Sequence, residues 1–145
     1  MSLGPLIVEF EVAVEPAHAF DTWTRHCHAW WPASHTVSGN PAAIAFEPRA
    51  GGRIVERAAD GAEHEWGTVL EWQPPGRLRY RWHLFFDPDE ATEIAVSFAP
   101  ARDGTAVRLE QTGWERLGPS GPPRRTNTGA VWATLTARFA AACAA

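Results

Sequence analysis

The sequence predicts an α+β fold in which a curved antiparallel sheet of about seven strands wraps around one long C-terminal helix, with one or two short helices after the first strand. Three observations carry that prediction. Consecutive strand-like segments run from Ala43 to Trp114 with tight turns between them, and an opening segment alternates with period two. The stretch after Ser120 repeats its apolar residues at helical spacing.

The elements follow in order. LIVEFEVAV (Leu6–Val14) alternates and is rich in β-branched residues, which suits a strand. Pro16 opens a short helix, because a proline in the first turn gives up an N–H that has no intrahelical partner anyway. Ala19, Phe20, Trp23 and Cys27 share one face of it, and Pro32 ends it. Ser38–Pro41 (SGNP) is a loop signal. AIAFEPRAGGRIVER (Ala43–Arg57) reads as two strands joined around Ala50-Gly51-Gly52, and Asp60-Gly61 is a hairpin turn leading into HEWGTVLEW (His64–Trp72). A Pro74–Gly76 turn precedes RLRYRW (Arg77–Trp82). TEIAVSFAP (Thr92–Pro100) and TAVRLEQTGW (Thr105–Trp114) follow, split by a second Asp-Gly at Asp103-Gly104.

Alternation assigns the faces. Leu78, Tyr80 and Trp82 point one way and Arg77, Arg79 and Arg81 the other. Ile94, Val96 and Phe98 form an inner row, as do Val107, Leu109 and Gln111. Glu93, Arg108 and Glu110 belong to a solvent face, where each cross-strand charge pair adds about 0.2–1 kcal/mol. HEWGTVLEW is apolar on both faces, and its orientation stays open. The last helix is predicted from an N-cap at Ser120, through Pro122-Pro123 in its first turn, to about Ala142. Its length of about 30 Å crosses a sheet. Val131, Trp132, Leu135, Phe139 and Ala142 make its apolar stripe. Gly129 costs about 1 kcal/mol against alanine there, so close packing or cavity space is expected around it.

Composition narrows the function. The 145 residues fit one domain spanning 1–145, and a chain 45% hydrophobic and 21% charged has an ordinary globular balance. Eight tryptophans and seven phenylalanines against one tyrosine supply large side chains for cavities or interfaces. All 13 basic residues are arginine, which removes Schiff-base chemistry and lysine-dependent phosphate loops. A net charge of −4 argues against nucleic acid as a partner. Two cysteines make no disulfide framework, and no apolar run is long enough for a bilayer. No secretory signal opens the sequence, so the expected location is cytoplasmic, with no membrane partner.

A curved sheet around a straight helix is a helix-grip plan, and the two surfaces cannot touch everywhere. The hollow between them has Trp23, Trp30, Trp31, Tyr80, Trp82, Gln111 and Trp132 as candidate lining, with His28 near its mouth. Mostly apolar walls with few polar points describe a small-molecule pocket. FDTWT (Phe20–Thr24), WWP (Trp30–Pro32), FEPRAGGR (Phe46–Arg53), WGTVLEWQPPGRLRYRW (Trp66–Trp82), GTAVRLEQTGW (Gly104–Trp114) and GAVWATL (Gly129–Leu135) occur in that order. Together they resemble the AHSA1-type branch of the START/Bet v 1-like (SRPBCC) superfamily, the homologues of the activator of heat-shock protein 90 ATPase. The resemblance implies the helix-grip fold and an apolar-ligand cavity. Its motifs are structural, with no catalytic signature among them.

The segment HCHAWWP (His26–Pro32) invites three chemical readings. As a metal site it is poor: His26 and His28 diverge on a helix, and His35, His64 and His83 are scattered, so no metal or cofactor is expected. As a nucleophile, Cys27 continues the apolar stripe and reads as buried and unreactive. Acid–base work without a cofactor would draw on His28, His35, Glu56, Tyr80 or Gln111. The bland expectation is that Glu56 pairs with an arginine and that Tyr80 and Gln111 bond to each other or to water. The sequence therefore favours binding of a small apolar or aromatic molecule. The alternative is a cofactor-free lyase, cyclase or isomerase in the same cavity, and a third reading is a chaperone partner. A homodimer is compatible with the pattern.

Overall fold

The computed structural model describes residues 4–145. Its seven strands form one antiparallel sheet in the order β1-β7-β6-β5-β4-β3-β2, so only the first strand is out of sequence, paired with the last. They are β1 (Leu6–Val12), β2 (Pro41–Phe46), β3 (Arg53–Ala58), β4 (Glu63–Gln73), β5 (Arg77–Trp82), β6 (Thr92–Ala101) and β7 (Gly104–Thr112). The helices are α1 (Pro16–Thr24), α2 (Cys27–Trp30) and α3 (Gly121–Ala144), with 3₁₀ turns at Ala33–His35, Pro88–Glu90 and Trp114–Ser120. The sheet curls into a half-barrel around α3, the predicted helix-grip.

The curl has a local source in bulges, each of which adds a residue to one strand and sharpens its bend. On β4 the partners of Ile54 and Val55 are Gly67 and Glu65, which leaves Trp66 as the extra residue. The partners of Tyr80 and Arg79 are Val69 and Glu71, which leaves Leu70. Each extra residue shifts the alternation by one, and this is why β4 carries apolar residues on both nominal faces. Trp66 and Val69 are both buried despite their odd spacing.

The core centres on aromatic rings. Trp23 of α1 stacks on Trp132 of α3 at 5.8 Å and 17°, and Phe139 meets Trp23 edge-on at 5.0 Å and Trp30 at 5.3 Å. The predicted inner rows of β5, β6 and β7 are confirmed, with Leu78, Tyr80, Ile94, Val96, Phe98, Val107, Leu109 and Gln111 buried. Trp82, at the strand end, is half-buried.

Three details differ from the sequence expectation. The helix begun at Pro16 stops at Thr24, and Cys27 belongs to the separate α2, because the chain turns at Arg25–His26 to bring Trp23 and Trp30 within 5.0 Å. Ser120 does not cap α3: its backbone is already helical and its hydroxyl donates to Leu117 O. The buried stripe of α3 is Trp132, Leu135, Phe139 and Cys143, with Val131 and Ala142 only half-buried.

Gly129 is not held by close packing either. A Cβ there would meet only Leu6 Cδ1, at an ordinary 3.4 Å. Gly67 is the opposite case, since its Cβ would lie 1.9 Å from the Arg81 carbonyl oxygen across the β4–β5 ladder. Gly129→Ala should therefore stabilise the protein by about 0.5–1 kcal/mol through helix propensity. Gly67→Ala should cost about 3 kcal/mol or more through a backbone collision. Urea unfolding of both variants checks the pair, and a stable Gly67→Ala would refute the register given for these strands.

Candidate functional site

Where the aromatic packing stops, a cavity of about 310 Å³ remains between the sheet and the first half of α3. Four segments build it. Trp31 and His35 come from the chain after α2, and Trp82 and Gln111 from the ends of β5 and β7. Leu84, Phe85 and Phe86 come from the β5–β6 loop. The helix supplies Arg124, Thr128, Val131 and Leu135 at spacings of four, three and four, one face of an α-helix, with Asn127 and Trp132 flanking it. Its polar residues lie toward the N-terminal end and its apolar ones deeper, so the cavity is graded along the helix.

Hydrogen bonds fix the walls. Gln111 Oε1 accepts from Trp132 Nε1 at 2.9 Å, while Gln111 Nε2 donates to Thr92 Oγ1 at 2.9 Å. One amide N–H and one lone pair of Gln111 are left over. Trp31 Nε1 donates to the His35 carbonyl at 2.9 Å, and the His35 ring pairs through Nδ1 with Ser34 Oγ at 2.9 Å. Trp82 is half-buried, packs edge-on against Trp31 at 5.5 Å and has no acceptor for its indole N–H among the described residues.

The mouth is made by Phe85 and Phe86, which are 59% and 41% exposed, unusual for such large apolar side chains. Phe85 has φ of 70°, in the left-handed region that a non-glycine residue adopts at a cost of about 1–3 kcal/mol. The guanidinium of Arg124 lies 3.3 Å from the centre of the Phe86 ring, and its Nη1 donates to Glu90 O at 3.4 Å.

Of the residues singled out from sequence, Trp31, Trp82, Gln111 and Trp132 line the cavity together. Trp23, Trp30 and Tyr80 do not: they fill the grip. Trp23 Nε1 donates to the Tyr80 hydroxyl at 3.4 Å and Trp30 Nε1 to Thr22 O at 3.0 Å. Burial pushes the Tyr80 phenol far above its ordinary pKa, so it holds its proton. His28 is also misplaced in the sequence reading. The single turn of α2 directs Cys27 and Trp30 inward and leaves His28 exposed outside the cavity, while His35 occupies the wall. Burial raises the Cys27 thiol far above its usual range, which removes it as a nucleophile. None of the eight tryptophans is exposed, with Trp72 and Trp82 half-buried and the other six buried.

The wall residues that sequence reasoning missed are Leu84, Phe85, Phe86, Arg124, Asn127, Thr128, Val131 and Leu135. Two signals pointed to them: an aromatic pair in a loop, and the helical face running from Arg124 to Leu135.

A family model described as activator of Hsp90 ATPase homolog 1-like protein matches residues 13–141. Among solved structures, the chain is similar to the anthrahydroquino-γ-pyrone synthase Txn09, determined in complex with SUM, at 32% identity over 97% of both chains and a TM-score of 0.66. It is similar to CalC of Micromonospora echinospora, a self-sacrificing resistance protein, at 26% identity over 97% of this chain and 94% of that one, with a TM-score of 0.76. The protein MLL2253 of Mesorhizobium loti is 21% identical over 95% of both chains at a TM-score of 0.71, a likeness of fold. Among curated proteins, none matches the sequence.

Glu56 departs from its expected pairing with arginine. Fully buried on β3, it accepts from the Val37 amide at 2.8 Å, from the Ser38 amide at 2.9 Å and hydroxyl, and from Trp66 Nε1 at 3.1 Å. Burial raises its pKa, but the hydrogen bonds from Ser38, Val37 and Trp66 together outweigh it and hold the carboxyl below its usual range. It thus anchors the loop that follows His35, and it is ionised rather than poised as an acid. A folded-state pKa below the unfolded value of about 4.3 stabilises the protein above that value, and the contribution disappears as pH falls through the folded one. Glu56→Gln should cost about 2 kcal/mol at neutral pH, by presenting an amide N–H to donors. In denaturant titrations the difference from wild type should close on acidification below the ordinary carboxylate range. A pH-independent difference would contradict an ionised Glu56.

Proposed function

Given that the chain belongs to the activator of Hsp90 ATPase homolog 1-like family, we propose that it binds a small planar aromatic molecule in the cavity between the sheet and α3. The observation that supports this most is the wall itself: the Trp31, Trp82 and Trp132 side chains border one hollow of about 310 Å³, within the range of small-molecule sites. Indole faces and edges attract flat ring systems, and each well-placed pair contributes about 0.5–1.5 kcal/mol beyond area burial. The free Trp82 indole N–H and the spare N–H of Gln111 suit carbonyl or hydroxyl oxygens on such a ring. The 32% identical relative is named for an anthrahydroquino-γ-pyrone, a fused-ring, oxygen-bearing compound, which supports the same class of ligand here.

A second reading is a cofactor-free cyclase, lyase or isomerase acting in this cavity. It is favoured by the synthase name of that relative and by His35, the imidazole on the wall, whose Nδ1 is engaged with Ser34. The other ring nitrogen is then available to carry a proton to or from a ligand oxygen. His35→Gln would abolish turnover while leaving binding in place under this reading, and would leave nothing to measure under the first.

Val131 provides the test of binding, because it borders the cavity and is only half-buried. Val131→Phe should fill the cavity and weaken binding of an anthraquinone, followed by tryptophan quenching, at least tenfold, about 1.4 kcal/mol. Its thermal midpoint should stay near that of wild type. Unchanged quenching in this variant would place the ligand elsewhere and defeat the proposal.

A further inference from the structure

The cavity contains one full-time cation, and no carboxylate among the described residues pairs with it. Arg124 is half-buried, yet none of the nine ion pairs among the described residues includes it. No aspartate or glutamate lines the cavity. Of its five N–H donors, one makes a long 3.4 Å bond to Glu90 O, while the Phe86 ring covers the guanidinium face. The Glu90 carboxylate acts on it only through space, beyond ion-pair distance. The position sharpens the point. Arg124 lies in the first turn of a 24-residue helix, where the macrodipole already favours negative charge and disfavours a cation. A partly desolvated cation at such a place is costly without an anion. Asn127 and Thr128, one turn on, add polar groups on the same wall.

Building on the aromatic-ligand reading above, we propose that the ligand is an acidic aromatic, bearing a carboxylate or an ionised phenol or enol, and that Arg124 receives the negative oxygen. The ring system lies against Trp31, Trp82 and Trp132, and the anion points along α3 toward its N-terminus. Arginine suits this task because its planar fork can hold a carboxylate through two parallel hydrogen bonds.

Two probes of equal shape test it: anthracene-2-carboxylate and anthracene-2-carboxamide, titrated calorimetrically into the intact protein at neutral pH and low salt. Wild type should prefer the carboxylate about tenfold, as expected for a hydrogen bond to a charged group. Added salt should shrink the preference. The preference should vanish in Arg124→Gln and persist in Arg124→Lys, which keeps the charge. Equal affinities in wild type with measurable amide binding would overturn the anion inference and leave the cavity reading standing. A carboxylate preference surviving in a folded Arg124→Gln would overturn it as well. Failure of both probes to bind would overturn the cavity reading and this inference with it. The wild-type ratio and its salt dependence decide the matter even if Arg124→Gln fails to fold.

Discussion

A buried indole must hand its N–H to an acceptor, and this requirement organises the whole molecule. Leaving such a donor unpaired costs about 1–3 kcal/mol, and six tryptophans are buried here. Each finds a partner: Trp23 the Tyr80 hydroxyl, Trp30 the Thr22 carbonyl, Trp31 the His35 carbonyl, Trp66 the Glu56 carboxylate, Trp114 the Gln111 carbonyl and Trp132 the Gln111 side chain. Two of these bonds tie a helix to the sheet, Trp23 of α1 to Tyr80 on β5 and Trp132 of α3 to Gln111 on β7, and the others fix local turns and the β3–β4 pair. Gln111 alone ties α3 to β7, and through Thr92 to β6.

The same requirement explains why the chemistry suggested by the sequence dissolves on folding. Glu56, Tyr80 and Gln111 are among the polar groups that acid–base work in the cavity would draw on. In the fold each is an acceptor for an indole, and Glu56 also holds the Val37–Ser38 loop. What remains for a ligand is the region where aromatic filling ends. There the uncommitted groups collect: the Trp82 indole N–H, the spare N–H of Gln111, the His35 ring and Arg124. The strained Phe85 and the exposed Phe86 stand at its entrance.

The architecture was readable because it rests on periodicity. Alternation in RLRYRW and TAVRLEQT, two Asp-Gly turns and the spacing of Trp132, Leu135 and Phe139 specify the sheet and its closing helix. The site was readable only in part. Trp31, Trp82, Gln111 and Trp132 announce themselves by residue type and face, but which aromatic rings fill space and which border a hollow depends on packing across the sheet. That is why Trp23, Trp30 and Tyr80 were misplaced. His28 lies on the outward side of the single turn α2, whereas His35 ends a separate 3₁₀ turn beyond Pro32, a local geometry that spacing does not reveal. The bulges at Trp66 and Leu70 are likewise silent in the sequence except as an alternation that fails to resolve.

The proposed ligand, a flat aromatic molecule, rests between α3 and the sheet, against three particular indoles. The eight tryptophans make this directly observable, since each contributes one indole N–H resonance. In a ¹H–¹⁵N titration with anthracene-2-carboxylate, the signals of Trp31, Trp82 and Trp132 should shift together. Those of Trp72 and Trp114 should stay within a small fraction of that change. Shifts confined to Trp72, or the absence of any shift at Trp31, Trp82 and Trp132, would contradict the account.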